Sequence, residues 1–196
     1  MYILPMVALL AVFHTSCKKV QDLKAFTEAD YKLVAAENVR LNGLDVMNRS
    51  SLSDFKVEEG DSLMNALNSN KLQLSAMLQL QVDMPDPEEV RSMQVEELDW
   101  QLLVDGKETL EGTVSEPMLL QNGLNKLPVS SSVSLAEVGG FQNYEGLSIL
   151  TNMLSQHQDV RERITFRIKP TIDTPVGDVE LPDFITVSKP SGNQAG

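Results

Sequence analysis

"KLQLSAMLQLQVD", residues 71–83, decides the fold. Leu72, Leu74, Ala76, Leu78, Leu80 and Val82 share one parity, while Gln73, Ser75, Gln79 and Gln81 take the other. Period two sustained this long marks a strand with one buried face, since a helix would repeat near every 3.6 residues. Met77 is the only apolar intruder on the polar side. The run ends in "DMPDPEEV", where Pro85 and Pro87 break the strand because proline cannot donate to a central ladder.

Downstream, "VEELDWQLLVDGKETLEGTV" places Leu98, Trp100, Leu102 and Val104 in alternation up to Asp105-Gly106. Asp-Gly between two extended runs predicts a type I′ hairpin, whose two central residues need positive φ. Trp100 shares the parity of Leu98 and Leu102, so it is expected to point into the core. "PMLLQ" leads into the turn Asn122-Gly123, and "LPVSSSVSLAEV" alternates through Leu127, Val129, Val133 and Leu135. "RITFRIKPTI" alternates Ile164, Phe166 and Ile168; "TPVGD" then turns the chain into "VELP", and "DFITVS" closes it. Upstream, "AENVRLNGLDV" offers Val39, Leu41 and Leu44 as a first strand. About seven short strands joined by turn signals predict an all-β fold, a single antiparallel β-sandwich.

Two segments have helical spacing. "DSLMNALNSN" predicts a helix capped at Asp61 or Ser62 that buries Leu63, Met64 and Leu67. "FQNYEGLSILTNMLSQHQ" sets Tyr144, Leu147, Leu150, Thr151 and Leu154 on one stripe. That stripe predicts a helix covering an open end of the sandwich, the alternative being a lid over an apolar pocket.

The N-terminus reads differently. Residues 1–16 carry no formal charge, and "YILPMVALLAVF" is shorter than the roughly 20 apolar residues of a spanning helix. A short apolar run ending in small residues reads as an export signal. Cys17 is the single cysteine, so no disulfide forms within the chain, and a modified thiol is expected. "HTSC", residues 14–17, resembles a bacterial lipobox, in which Thr15 and Ser16 precede a cysteine that receives a diacylglyceryl group; His14 departs from the usual aliphatic residue. Residues 1–16 are then the signal, 17–32 ("CKKVQDLKAFTEADYK") a tether, 33–188 the sandwich and 189–196 a frayed tail. Acyl chains would anchor the protein at about 0.8 kcal/mol per buried methylene.

The 196 residues carry a formal charge of −12, and no basic cluster is longer than Lys18-Lys19. Nucleic acid is therefore not an expected partner, because binding it relies on cations that neutralise phosphates. His14 lies in the signal, leaving His157 as the mature chain's imidazole, too few for a zinc site of His and Cys ligands or for a plausible nucleophilic triad. Asp83, Asp86, Glu88 and Glu89 cluster on the turn after residues 71–82, as Ca²⁺ ligands do. Their spacing matches no EF-hand loop, and a solvated acidic turn that protects strand ends is the better reading. Acids in "EELD" and "DVE" invite comparison with paired glycosidase carboxylates, but acids on outward parity are ordinary and no cleft is expected. No cofactor and no metal is expected.

The segments "LDWQLLVDGKETLEG", "KPTIDTPVGDVELPDFITVS" and "VRLNGLDV", with the "SCKK" start, resemble the late-embryogenesis-abundant type 2 family, also called the water-stress and hypersensitive-response domain. The resemblance covers residues 30–188 and implies a fibronectin type III- or immunoglobulin-like sandwich without catalytic residues. The family's Asn-Pro-Asn is replaced here by "DMPDPEEV". The expectation is a monomeric, non-catalytic, lipid-anchored scaffold or binding lipoprotein, facing the periplasm from the outer membrane. Its partner would be an envelope protein, lipid or glycan, and the family is linked with stress protection. The alternative is an envelope hydrolase using acidic loop residues.

Overall fold

A computed structural model describes residues 21, 23–49, 52–86, 91–156, 163–174 and 177–188. The fold is mostly antiparallel β. The first half holds β1 (Asp30–Leu41), β2 (Leu44–Asp45), helix α1 (Val57–Asn68), β3 (Leu72–Asp83), β4 (Ser92–Val104) and β5 (Lys107–Val114). The second holds β6 (Met118–Gln121), β7 (Gly123–Leu135), the hairpin β8 (Glu137–Val138) and β9 (Phe141–Gln142), helix α2 (Tyr144–Ser155), β10 (Ile164–Thr174), β11 (Gly177–Glu180) and β12 (Ile185–Val187).

The strands pair in the order β11-β10-β4-β5-β7-β3-β1-β2, with β12 also on β10 and β6 also on β4. The junction of β5 with β7 is narrow, only Leu110 opposite Leu135 and Glu111 opposite Ser134. At the other side, Leu33 N donates to Ser188 O at 3.0 Å and Ser188 N to Tyr31 O at 2.9 Å, which ties β1 to the residue after β12. Tyr31, Val82, Leu127 and Val133 from β1, β3 and β7 share one core cluster with Leu98, Trp100, Val114 and Ile168 from β4, β5 and β10. The period-two face read at residues 72–82 is the face that enters this cluster.

The hairpin at Asp105-Gly106 forms as its sequence requires, with φ of 50° and 75°. Trp100 is 5% exposed, and its indole N–H donates to Ser131 Oγ at 2.9 Å. Buried Trp needs such a partner for its one polar atom.

Four expectations need correction. The described residues contain twelve strand segments rather than about seven, because short pieces (β2, β6, β8, β9, β11 and β12) border the long ones. Helix α1 starts at Val57, ahead of the Asp61 or Ser62 cap. Its first turn is held by Glu59, whose Oε2 accepts from Lys56 N at 2.9 Å and from Arg49 Nη1 at 2.6 Å. Met64 remains substantially exposed, while Leu67 is buried. At the other end Asn70 takes a left-handed φ of 53°, as a helix-terminating residue does.

The stripe of α2 is rotated from the one read. Tyr144 is 50% exposed, whereas Gly146 and Met153 face inward. Gly146 sits against Thr109, where an added Cβ would fall 2.9 Å from Thr109 Cβ and closer still to its hydroxyl. The helix therefore covers β5 as an ordinary packed element. Asn143 fixes its start: Oδ1 accepts from Glu145 N at 3.1 Å, and Nδ2 donates to Glu108 O at 2.8 Å. The side chain of Leu154 lies outside the described residues.

The tether as read, 17–32, is too long. Residues 23–27 are helical, and Ala25, Phe26, Ala29 and Tyr31 belong to the core, Phe26 at 0% exposure. The Tyr31 hydroxyl donates to Phe26 O at 2.6 Å, which leaves that buried carbonyl satisfied. Residues 1–16, expected as a signal, Cys17 and residues 189–196, expected as a tail, lie outside the described residues. Among the described residues no helix is long and apolar enough to cross a membrane.

Candidate functional site

Outward-facing residues of β4, β5 and β7 line a trough of about 310 Å³, with Phe184 from the β11–β12 connection at its end. Its existence follows from register. Arg167, Gln101, Glu111 and Ser134 stand side by side across β10, β4, β5 and β7. One step along, Lys169, Asp99 and Thr113 form a second row across β10, β4 and β5. Each of these residues has outward parity in its own strand, so the polar side chains gather on one face.

Gly112 and its neighbour Trp100 lie at the floor. A Cβ at Gly112 would fall 2.7 Å from Ser131 Oγ and 2.7 Å from Trp100 Cζ2, and nearer still to the Ser132 carbonyl. Glycine is needed here because β7 crosses so closely over β5. Beyond the two paired positions the strands no longer pair, and Ser132 and Ser134 border the trough from β7.

The polar groups hold one another in place. Thr113 Oγ1 donates to Asp99 Oδ1 at 2.6 Å. Arg167 donates through Nη2 to Gln101 Oε1 and to Glu108 Oε1, each at 2.7 Å, and its guanidinium lies 5.3 Å from the Phe184 ring centroid. Lys169 Nζ is 5.6 Å from the same ring and ion-pairs with Glu180. Burial pushes the Glu111 carboxyl above its usual range; the Gln101 amide opposes this, and Glu137, Glu108 and Asp99 reinforce it.

A second, smaller hollow of about 240 Å³ lies between the β1–β2 turn and α1, edged by Leu41, Leu44, Leu63 and Glu59. Glu59 is committed to Arg49 there.

The acids singled out from sequence are not gathered into a cation cage. Asp83 Oδ2 accepts from Lys32 Nζ at 2.7 Å and Oδ1 from Gln81 Nε2 at 2.7 Å, so its carboxyl titrates below the usual range. Asp86 is exposed on the loop after β3, and Glu88, Glu89 and His157 lie outside the described residues. Among the described residues no group of three or more His, Cys, Asp or Glu is placed to hold a metal ion. Two asparagines hold the neighbouring turns. Met84 N donates to Asn122 Oδ1 at 3.2 Å, and buried Asn125 accepts from Gln121 N at 2.9 Å and donates to Gln121 O at 2.8 Å and Gly123 O at 2.9 Å.

Sequence reasoning expected no cleft around Asp99, and it missed Gln101, Glu111, Ser134 and Phe184. In the sequence Gln101, Glu111 and Ser134 are ordinary outward residues, and Phe184 is one apolar residue of a connection. Only the pairing register brings them together: the Asp105-Gly106 hairpin alone would set Asp99 opposite Gly112 and Gln101 opposite Leu110, and the shift between Leu102 and Leu103 moves them to Thr113 and Glu111.

No family model matches the chain, and no curated protein matches it. Among solved structures it is similar to one titled as the crystal structure of a protein from Archaeoglobus fulgidus. That structure is 13% identical, with a TM-score of 0.31, over 59% of this chain and 81% of the other.

Proposed function

We propose that this chain is a non-catalytic, lipid-anchored binding or scaffold module of the bacterial cell envelope. Cys17 carries the lipid, the domain faces the periplasm from the outer membrane as a monomer, and the trough is its ligand surface. The observation that carries this reading is the single cysteine of "HTSC" directly after the apolar run. A thiol there has no partner cysteine in the chain, and acylation gives it a role. Two acyl chains supply a stable anchor where one gives only marginal binding.

The fibronectin type III- or immunoglobulin-like sandwich and the late-embryogenesis-abundant type 2 resemblance belong to the same proposal. They are supported by the β4–β5 hairpin built from "LDWQLLVDGKETLEG" and by "KPTIDTPVGDVELPDFITVS" running through β10, β11 and β12. The hydrolase alternative, which relies on acidic loop residues, is weakened at Asp83. A carboxyl held ionised by Lys32 is a poor general acid.

Intact-mass and N-terminal peptide analysis of the protein extracted from its own membranes tests the reading. A diacylglyceryl mass on Cys17, with residues 1–16 removed, is the expected result. An unmodified Cys17 in an uncleaved chain would refute it.

A further inference from the structure

The trough has a specific chemical character, and we propose that it binds a neutral saccharide, a mono- or disaccharide unit of an envelope glycan. This deepens the reading of the domain as an envelope binding module and rests on it.

The volume, about 310 Å³, lies at the small end of the range for ligand sites, which suits one or two sugar rings. The lining offers both halves of the hydrogen-bond inventory. Asp99, Glu111 and the Thr113 oxygen accept, the Gln101 amide donates, and the hydroxyls of Ser132 and Ser134 can do either. A polyhydroxylated ligand has the matching mixture at every carbon. Phe184 adds an apolar face at the end of the trough, where the C–H side of a sugar ring can rest.

Charge disfavours an anionic guest. Asp99 and Glu111 line the trough, whereas Arg167 and Lys169 on the adjoining strand are ion-paired with Glu108 and Glu180. Asp99 already accepts from Thr113, and burial favours the neutral form of Glu111, so both suit hydroxyl partners; a cation is the competing guest, and spermidine tests it.

The polar groups are also held before any ligand arrives. Arg167 takes the Gln101 carbonyl oxygen, which turns the Gln101 amide nitrogen away from β10. Thr113 spends its proton on Asp99, which leaves its oxygen as an acceptor. Groups fixed in this way lose little freedom on binding.

Trp100 is the only tryptophan and lies at the floor, so its fluorescence reports occupancy. The full chain would be titrated in detergent with chitobiose, maltose and cellobiose, and with spermidine as a cationic counter-probe. At least one disaccharide should give a saturable change in emission, with a dissociation constant on the order of 1 mM. Gln101→Ala and Ser134→Ala should each weaken that binding, the former about tenfold, with both variants still unfolding cooperatively; Gln101→Ala also loses its bond to Arg167 and should melt somewhat lower. Leu119→Ser, at an exposed position away from the trough lining, should leave it unchanged. The proposal is overturned if none of the three sugars saturates, if spermidine alone saturates, or if both trough variants bind like the parent. A lipidated Cys17 with no sugar binding removes only this ligand assignment. Sugar binding by a chain with unmodified Cys17 removes only the anchor.

Discussion

Gly112→Ala is the sharpest test of how the two halves of the sheet meet. The new methyl group would lie 2.7 Å from both Ser131 Oγ and Trp100 Cζ2, and it would overlap the Ser132 carbonyl oxygen. Carbon atoms pack comfortably near 3.5–4.0 Å, so something must move by roughly 1 Å. The Trp100 ring cannot swing away cheaply, because its N–H is tied to Ser131 Oγ. The Ser132 carbonyl is backbone in β7, which is held against β3 from Gly123 to Val133. Overpacking of this kind costs about 1–3 kcal/mol, and a backbone obstacle places the cost at the upper end. Losing glycine's extra freedom in the unfolded chain returns about 0.4–1 kcal/mol. The net loss is therefore about 2 kcal/mol, or roughly 4–8 °C in melting temperature for a domain of this size. Urea titration followed by Trp100 fluorescence measures it directly. Gly60→Ala is the matched control, because nothing lies within 4 Å of an added Cβ at that helical position. It should gain about 0.5–1 kcal/mol. Equal stabilities for the two variants would refute the close crossing of β7 over β5.

Other expectations follow from buried or paired groups. Asn125→Ala removes the bonds to Gln121 and Gly123 that brace the β6–β7 connection, and should cost about 2–4 kcal/mol by urea unfolding. Tyr31→Phe leaves the buried Phe26 carbonyl without its hydroxyl donor and should cost about 1–3 kcal/mol; a loss confined to N-terminal fraying, read by limited proteolysis, would contradict the burial of Phe26. Glu59 is drawn down to about 2 by the Arg49 guanidinium and the Lys56 N–H. A carboxyl with a depressed folded pKa stabilises fully above its ordinary value and loses that contribution as pH falls through the folded one. The stability gap between parent and Glu59→Gln should thus hold above roughly pH 5 and close as pH falls toward 2. A gap that widens in acid would show the pair is not formed.

The legible parts of the fold are those where one physical signal acts alone. Leu72 to Val82 alternate without a bulge in their pairing with β7, so period two survives from sequence to structure. Asp105 and Gly106 are the residues that tolerate positive φ, and the hairpin forms on them. The first strand was half hidden because its pairing with β3 shifts between Leu33 and Ala35 and again between Glu37 and Arg40. Each bulge flips the parity, and Asn38 takes a φ of 54° within the second. Phe26 and Tyr31 carried no periodic signal, since a short helical turn and a strand start share those few residues. The start of α1 was obscured by Gly60, which reads as a loop residue until Glu59 is seen holding both Lys56 and Arg49. The trough was hidden for a different reason. Its residues come from three strands and a connection, and its polar ones are those that any outward strand face carries.

The burial of Phe26 has a consequence for how the domain would be carried. If Cys17 is the anchor, as proposed, the chain is engaged in the core by residue 26 and at most about nine residues of free leash separate the two. Fully extended, that leash reaches no more than about 30 Å, and the helical residues 23–27 shorten it further. A leash of that length would confine the domain to a thin layer beside the lipid headgroups. Ligands would then be met within the membrane's own boundary layer, and reach across the periplasm would have to come from whatever the domain holds.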